Sequence, residues 1–428
     1  PAFIYAPSTT GITASHGLGQ VLALANGRFA ALSFADRFDY QTFDSVTQTS
    51  FWSYDALSPL SSTRIPLEIP ERDLRGLPQI AALDEGRLVV WWGVQTGSGQ
   101  NFAVEFRAQF LDTAGNTLGD PMLIGDFSTN THGFTPLAQG GMVMSFEKYT
   151  QAGGWDSYIR FYDAAGVAGP DIRINSTTEG RQESPRLVQM EDGNLFVTWR
   201  APDQAMPWGQ TGGIIGRILN PDGSPAGAEF IVSTSGELPN LYQTTLLADG
   251  NILVLWTTSR PSGDSYQTDA MARIFTPGGL AIGPEFSLAV NAAGEEAAPV
   301  VLALTQGGFV AMWMDDPDGA DGNALMTIRG QLYSDTGAAS GDEFAISPDG
   351  MNISSSFTAA ALVDGRFVVS YVLQNGSGTS DTWAQILDPR SAAIDLTGGA
   401  LAEDFVGTAF DDRLLGEAGA DTLYGGDG

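Results

Sequence analysis

The chain has 428 residues, and its hydrophobic share of 43% is enough to bury a core, which excludes disorder along its whole length. A formal charge of −30 excludes nucleic acid and anionic membranes as general partners and favours divalent cations, although the same charge would also simply keep a secreted protein soluble. The absence of cysteine excludes disulfides and thiolate chemistry, and no run approaches the roughly 18 apolar residues of a membrane span.

One hairpin phrase returns seven times along the chain, first as LANGRFAALSF and last as LVDGRFVVSY. The turn glycines recur about every 56 residues, a period typical of propeller blades, and they are Gly27, Gly86, Gly140, Gly193, Gly250, Gly307 and Gly365. A second hairpin, such as GRILNPDGSPAGAEFIV, follows in the repeating unit, so each unit supplies four short strands. The sequence therefore predicts an all-β protein with a seven-bladed β-propeller over residues 1–395.

Bulky residues in the repeated phrase predict how its strands are buried. Six positions after the glycine, six of the seven units carry an aromatic residue, namely Trp92, Phe146, Trp199, Trp256, Trp313 and Tyr371. The intervening positions are often apolar as well. Strands of this composition are typical of sheets covered on both faces, as a blade between two neighbours is.

The beginning of the chain predicts how the circle of blades closes. The segment PAFIYAPSTTG aligns with the fourth-strand phrases AEFIVSTSG and DEFAISPDG, so residues 2 to 7 are predicted to form the outer strand of the last blade. Pairing of this kind removes two exposed sheet edges. The alternative is that AAIDLTGG, after the seventh unit, supplies that strand.

These units resemble those of long secreted bacterial proteins whose repeats read approximately Q-x-x-P-x-V-x-x-L-x-D-G-G-F-V-V-x-W, followed by Q-R-F-D-x-x-G and G-x-E-F. Here the corresponding phrases include ESPRLVQMEDGNLFVTW and GRILNPDGSPAGAEF. The resemblance covers nearly the whole chain. It implies an architecture, and it does not specify an activity.

Candidate functional residues of the propeller lie in the blade-to-blade links. His16 and His132, the two histidines of the chain, occupy matching links, and histidine is the usual general acid or base at neutral pH; the alternative is that each only caps a loop. Arg75 and Arg181 stand in equivalent links as candidate ligands for a carboxylate or sulfate. The alternative for these arginines is ion pairing with adjacent acids such as Glu183.

The loops between second and third strands are long and differ from unit to unit, so they are predicted to carry any binding site. Trp155 and Trp208 lie in two of them and either stack on sugar rings or pack between adjacent loops. The acidic loop DDPDGADG is either a calcium site or a solvated turn.

The last residues resemble the repeats-in-toxin (RTX) nonapeptide G-G-x-G-x-D-x-L-x. GEAGADTLY places Gly419 and Asp421 at the diagnostic positions, GTAFDDRLL before it keeps Asp412, and GGDG begins a third copy with Asp427. The resemblance implies that these four residues hold Ca²⁺ in a parallel β-roll, of which residues 396–428 are a linker and the truncated start. The alternative is an acidic, glycine-rich tail that is disordered without metal.

From these features we predict an extracellular or cell-surface protein. Members of the RTX family with such tails are exported from Gram-negative bacteria through a C-terminal signal, by type I secretion. The favoured function is a calcium-associated binding or structural module of adhesin, surface or matrix type, with glycans or another surface protein as partners. The alternative is a polysaccharide lyase or glycoside hydrolase of propeller fold, with His16 or His132 as base.

Overall fold

The computed structural model describes the chain except for residues 1, 7–14, 25–28, 40–43, 55–61, 68–73, 84–86, 97–102, 113–114, 126–128, 151–153, 207–211, 235–239, 263–264, 290–294, 317–325, 348–352, 375–379, 401–402 and 427–428. For parts of several strands, mainly before residue 80, it describes the backbone only. All regular structure in the described residues is β-strand. They therefore include no helix long and apolar enough to cross a membrane.

The strands follow one another at short intervals. Before residue 126 they are β1 (Ala2–Ala6), β2 (Ser15–Ala23), β3 (Phe29–Asp39), β4 (Asp44–Tyr54), β5 (Ser62–Leu67), β6 (Leu74–Ala82), β7 (Arg87–Thr96), β8 (Ala103–Asp112) and β9 (Thr117–Gly125). The next group is β10 (Thr129–Pro136), β11 (Met142–Thr150), β12 (Gly154–Tyr162), β13 (Ala168–Arg173), β14 (Glu183–Gln189), β15 (Leu195–Arg200), β16 (Ile214–Leu219), β17 (Phe230–Ile231), β18 (Asn240–Leu246), β19 (Ile252–Ser262), β20 (Ser265–Phe275), β21 (Phe286–Ser287), β22 (Glu295–Ala303), β23 (Phe309–Asp316), β24 (Thr327–Tyr333) and β25 (Ala339–Ala345). The last group is β26 (Ile353–Ala361), β27 (Phe367–Gln374), β28 (Ser380–Leu387), β29 (Asp395–Thr397), β30 (Asp404–Val406), β31 (Arg413–Leu415) and β32 (Thr422–Tyr424).

Strands β1 to β28 form seven four-stranded sheets. Six of them consist of four consecutive strands, and we name these sheet 1 (β2–β5), sheet 2 (β6–β9), sheet 3 (β10–β13), sheet 4 (β14–β17), sheet 5 (β18–β21) and sheet 6 (β22–β25). Counted in this way the blades number six, one fewer than predicted, because the remaining sheet is composite. The predictions of an all-β protein and of a β-propeller are confirmed.

The composite sheet, sheet 7, has the strand order β1, β28, β27, β26. In it, Phe3 of β1 lies opposite Ala384 of β28 in antiparallel register. The prediction that the first residues form the outer strand of the last unit is thereby confirmed for Ala2–Ala6. The alternative segment is wrong for this role, because Asp395–Thr397 pairs with Arg413–Leu415 instead.

Two compact units make up the structure. The first comprises residues 1–102, 107–121 and 351–428, and the second comprises residues 103–106 and 122–350. Within the first unit, sheets 7 and 1 pack against each other: the Val21 amide donates to Thr358 Oγ1 at 3.1 Å, and Val21 and Phe29 share a buried cluster with Val368. The first and last repeats are therefore neighbours.

The second strand of each repeat carries deeply buried side chains. The six aromatic residues of the repeated phrase are each at most 3% exposed: Trp92, Phe146, Trp199, Trp256, Trp313 and Tyr371. Residues on the opposite face are buried too, as Phe196, Leu255 and Met312 show. Because consecutive strand residues point to opposite faces, these strands are covered on both faces, as predicted.

Side chains of the second hairpin join sheets 3 to 6 in the second unit. Arg217 Nη1 of β16 donates to the carbonyl of Ile174 at 3.2 Å, and Arg273 Nη1 of β20 donates to the carbonyl of Val232 at 3.1 Å. In sheet 6 a tyrosine makes the corresponding bond: the hydroxyl of Tyr333 in β24 donates to the carbonyl of Leu288. Each donor reaches the residue that follows the last strand of the preceding sheet.

The motif G-x-E-F makes a second joint between the same sheets. Glu229 Oε1 accepts the amide of Ser176 at 2.5 Å, and Glu285 accepts the amide of Thr234. The phenylalanine that follows Glu229 lies over a glycine of β16: a Cβ at Gly216 would come within 2.5 Å of the Phe230 ring. The motif that carries the family resemblance thus holds sheets together.

Strands β29 to β32 pair differently from all others. β29 pairs with β31 and β30 with β32, both parallel, and each residue lies opposite the one 18 positions later, as Leu396 does with Leu414. This offset equals two nonapeptides. Leu396 and Leu414 occupy the apolar position of the nine-residue pattern, as do Phe405 and Leu423 on the other pair of strands.

We expect Gly216→Ala to destabilise the protein by about 1–3 kcal/mol, because the added methyl overlaps the Phe230 ring in a packed joint. The matched control is Gly227→Ala, since a Cβ there meets nothing within 4 Å. Urea unfolding of both variants measures the difference. Equal midpoints for the two variants would show that the joint relaxes without cost.

Candidate functional site

The hairpin between second and third strands lies at the same edge of the sheet as the link from the preceding sheet. In sheet 3 the hairpin closes where Thr150 lies opposite Gly154, and β10 begins at that end, with Thr129 opposite Lys148. The variable hairpins and the blade-to-blade links therefore meet at one edge. The candidate residues of the propeller predicted from sequence belong to these two kinds of segment.

Tyr149 and Trp155 form an aromatic pair at this edge of sheet 3. They lie directly opposite each other in the β11–β12 register, with ring centroids 5.5 Å apart and planes at 62°. Tyr149 is 53% exposed and Trp155 is half-buried. Residues directly opposite in an antiparallel pair project from the same face of the sheet, so the two rings present one continuous apolar surface.

The link between sheets 3 and 4 is fixed beside this pair by buried hydrogen bonds. The carbonyl of Trp155 accepts the amide of Gln182 at 2.8 Å. The Gln182 side chain accepts the indole N–H of Trp199 at 2.9 Å, and its backbone carbonyl accepts the hydroxyl of Ser157 at 2.9 Å. Since Gln182 and Ser157 are fully buried, the start of β12 is held rigidly.

Arg181, in the same link, is engaged in ion pairs. Its Nε and Nη2 donate to the two carboxylate oxygens of Asp203 at 2.9 and 3.3 Å, and its Nη1 donates to Glu183 Oε1 at 3.0 Å. The side-chain hydrogen bond from Arg181 lowers the pKa of Asp203. Of the two interpretations of Arg181, the pair with Glu183 is present, and an anionic ligand would have to compete with two carboxylates.

For three of the remaining propeller candidates, the structure describes the position of the backbone only. His16 lies in β2 opposite Ala35, and Arg75 lies in β6 opposite Gly93. His132 lies in β10 where the register shifts between Thr131 and Gly133. Trp208 lies outside the described residues, as does most of the acidic loop, of which Asp315 pairs with Arg329 at 2.7 Å. The roles of these residues stay predictions.

The register shift at His132 belongs to the scaffold. The first strand of every sheet, from β2 to β26, shifts register near its beginning. In sheet 4 the shift places Ser184 at a φ of 53°, and its amide donates to Glu147 Oε1 at 2.5 Å. Burial lowers the pKa of Arg186 two residues later, while the charge of Glu147 opposes that shift. A bulge by itself therefore does not distinguish His132 as catalytic.

Three carboxylates recur at the same place in successive C-terminal turns, at nine-residue spacing: Glu403, Asp412 and Asp421. Asp412 Oδ1 accepts the amide of Ile394 at 2.9 Å and the hydroxyl of Thr408 at 2.8 Å. Asp421 Oδ1 accepts the amide of Glu403 at 3.0 Å. Each aspartate thus ties its turn to the residue 18 positions earlier. Sequence reasoning missed Glu403, although it stands nine residues before Asp412.

Glycine at the first position of a turn leaves room for its carboxylate. A Cβ at Gly407 would lie 2.6 Å from Asp412 Oδ2, and one at Gly416 would overlap the Asp421 carboxylate. Gly419 has a φ of 148°, which favours glycine. Desolvation opposes ionisation of Asp412, but hydrogen bonds from Thr408 and Ile394 outweigh it and lower the pKa of that carboxyl.

Carboxylate oxygens beside backbone carbonyls are the hard ligands that Ca²⁺ prefers, so these turns fit calcium. Within the described part of the chain no three acidic, histidine or cysteine side chains gather at one point. Asp427, the fourth predicted ligand residue, lies outside the described residues.

Comparison with known proteins agrees with both parts of the chain. Residues 397–428 match the family model of the RTX calcium-binding nonapeptide repeat. No curated protein sequence matches the chain. Among solved structures, a protein of unknown function from Dyadobacter fermentans DSM 18053 is similar at a TM-score of 0.50 and 12% identity, over 91% of this chain and 98% of that chain.

Two further solved structures are similar over most of their length. A PL25 ulvan lyase bound to -[GlcA(1-4)Rha3S]- has a TM-score of 0.51 and 10% identity, over 88% of this chain and 95% of that chain. The β-propeller domain of the Trilobed protease from Pyrococcus furiosus has a TM-score of 0.49 and 9% identity, over 87% and 95%. At such identities the likeness concerns the fold alone.

Ion pairs with Asp171 also hold the hairpin that carries Tyr149, and they make the stability of the protein depend on pH. Asp171 of β13 accepts hydrogen bonds from Lys148 Nζ at 2.8 Å and Arg160 Nε at 2.7 Å. Desolvation would raise the pKa of Asp171, but these two donors outweigh it and lower the pKa. A lowered folded-state pKa contributes stability above the unfolded value of about 3.9, and that stability is lost as the pH falls through the folded value.

We therefore expect Asp171→Asn to cost about 1 kcal/mol at pH 7 and progressively less below about pH 4. Urea midpoints measured at both pH values test this, with Asp120→Asn on the exposed side of β9 as control. A stability difference that stays constant down to pH 2.5 would contradict the assignment.

Proposed function

We propose that the protein is an extracellular binding module in which the seven sheets are the blades of one β-propeller and the C-terminal turns begin a calcium-binding roll. The RTX match of residues 397–428 supports the calcium part, since such repeats are typical of secreted proteins. The propeller part is supported by the neighbouring first and last repeats and by the strand that β1 adds to sheet 7.

The ligand that we propose for the propeller is a glycan, bound at the edge that carries Tyr149 and Trp155. The observation that carries this proposal is an exposed aromatic pair on a hairpin whose base is fixed by buried hydrogen bonds. The apolar face of a sugar ring stacks on such rings, and a preorganised platform loses little entropy on binding.

The charges around this pair favour a neutral or weakly charged glycan. Arg181 is already balanced by Asp203 and Glu183, and Lys148 by Asp171. A strongly anionic polysaccharide would also meet a protein of charge −30. These features support recognition through stacking and hydrogen bonds, with little contribution from charge pairing.

We expect Trp155→Ala and Tyr149→Ala each to weaken glycan binding by about fivefold to tenfold, the loss of one aromatic contact of about 1 kcal/mol. Binding of the 428-residue chain to a panel of immobilised neutral and acidic polysaccharides gives the measurement. Tyr424→Ala is the matched control, because Tyr424 is 59% exposed in the C-terminal segment.

The same panel separates binding from catalysis. Unsaturated products or new reducing ends that disappear in His16→Ala or His132→Ala would favour the lyase or hydrolase alternative. Glycan binding that is unchanged in both aromatic variants would contradict the proposed platform.

We expect Asp421→Asn to weaken calcium binding by roughly 10- to 100-fold, a range that even loss of a group supporting a metal ligand can cause. Asp411→Asn is the matched control, since Asp411 is a carboxylate of the same segment outside the diagnostic position. Calcium titration by calorimetry measures both variants. Equal affinities would exclude Asp421 from the site.

A further inference from the structure

Arg390 lies between sheet 7 and the C-terminal turns with every donor occupied. Its Nε and Nη2 donate to Asp388 at 2.7 Å each, Nη1 donates to the carbonyls of Asp364 at 3.0 Å and Val406 at 2.5 Å, and Nη2 donates to the carbonyl of Gly407 at 3.1 Å. These bonds use all five N–H groups of a guanidinium. The side chain is only 1% exposed.

The partners of Arg390 belong to three different segments. Asp364 is in the first hairpin turn of sheet 7, Asp388 directly follows β28, and Val406 and Gly407 lead into the first turn that carries a diagnostic aspartate. A single side chain therefore fastens the beginning of that turn to the last sheet of the propeller.

Counted back from Gly407 in steps of nine residues, the turn two repeats earlier begins at residue 389 and contains Arg390. We name residues 389–406 the first coil, of which 401–402 lie outside the described residues, and residues 407–424 the second coil. The two coils stack: the Arg413 amide donates to the carbonyl of Ile394 at 2.8 Å, and the Gly398 amide donates to the carbonyl of Leu415 at 2.7 Å. Ile394 takes the position in the first coil that Asp412 takes in the second.

The first coil thus lacks an aspartate at its first turn and has an arginine in that turn instead. The Arg390 guanidinium meets backbone carbonyls, and the charges of Asp388, Asp364 and Asp412 act on it. Burial alone would lower the pKa of Arg390, but the hydrogen bonds to Asp388 and these charges raise it, so the group stays charged. Carbonyl and carboxylate oxygens around a cation are also the surroundings that a bound calcium ion has.

We propose that Arg390 is a cation supplied by the chain in place of calcium, which folds the first coil onto sheet 7 without metal and gives the second coil a formed surface on which to stack. This inference rests on the proposed function in one respect only: the turn that begins at Gly407 is taken to be a calcium-binding turn. The proposal divides the C-terminal segment into a first coil that folds without metal and a second coil that responds to metal.

Hydrogen exchange of the full chain in EGTA tests this without any need for calcium binding. In the wild type we expect protection of peptides that cover residues 389–406. In Arg390→Gln we expect that protection to fall by about tenfold or more, while peptides from sheet 4 keep theirs. Arg390→Lys keeps the positive charge but lacks the planar guanidinium with its five donors, and we expect an intermediate loss of protection. Arg413→Gln is the matched control, because Arg413 makes only an exposed ion pair with Asp395 at 2.8 Å.

Two results would overturn the proposal. One is a wild type whose residues 389–406 are unprotected in EGTA and become protected only with calcium, a comparison that needs no variant to fold. The other is equal protection in Arg390→Gln and wild type. If calcium has no effect on any peptide while protection in EGTA still depends on Arg390, the proposed calcium function fails and the role of Arg390 stands.

Discussion

Burial of the second strand on both of its faces is the constraint on which this structure depends. Trp199, Trp256 and Trp313 are at most 1% exposed, yet a single four-stranded sheet covers neither of its own faces. Each sheet is therefore stable only between neighbours, and the first and last repeats face the same requirement. The contact of sheet 1 with sheet 7 meets it, and β1 completes sheet 7 with its fourth strand.

The residues that make the repeat recognisable act at the joints between sheets. Arg217 and Arg273 bond carbonyls beyond the preceding sheet, and Glu229 and Glu285 bond amides beside them. A motif whose side chains hold neighbouring sheets together predicts the architecture of a protein and says little about its activity. The binding site that we propose lies instead at the hairpin edge, where loop sequences vary and Tyr149 of sheet 3 is exposed.

Charge is distributed differently over the two parts of the molecule. In sheets 3 and 4 cations are paired with carboxylates, as Lys148 is with Asp171 and Arg181 is with Asp203. In the C-terminal segment the carboxylates Asp412 and Asp421 are capped by amides and a hydroxyl, and the one buried cation, among the described residues there, is Arg390. The hydrogen bonds of Arg390 fix the beginning of this segment to sheet 7, and the calcium site that we propose lies in the turns that follow.

The sequence by itself determined the β class, the repeating four-strand unit, the buried aromatic positions, the partner of the first strand and the nonapeptide turns. The partner of the first strand follows from the likeness of the first residues to the fourth-strand phrases of the repeat. The other features follow from local periodicity and turn chemistry, which act between residues close in the chain. Only the tertiary structure decided that Tyr149 pairs with Trp155, that Arg181 binds Asp203, and that Arg390 binds Gly407. It also showed that the blades of consecutive strands number six and that the last sheet is composite. The physical reason is that such contacts join residues several to hundreds of positions apart, whose proximity depends on register and on the stacking of sheets, and neither is written in any short stretch of sequence.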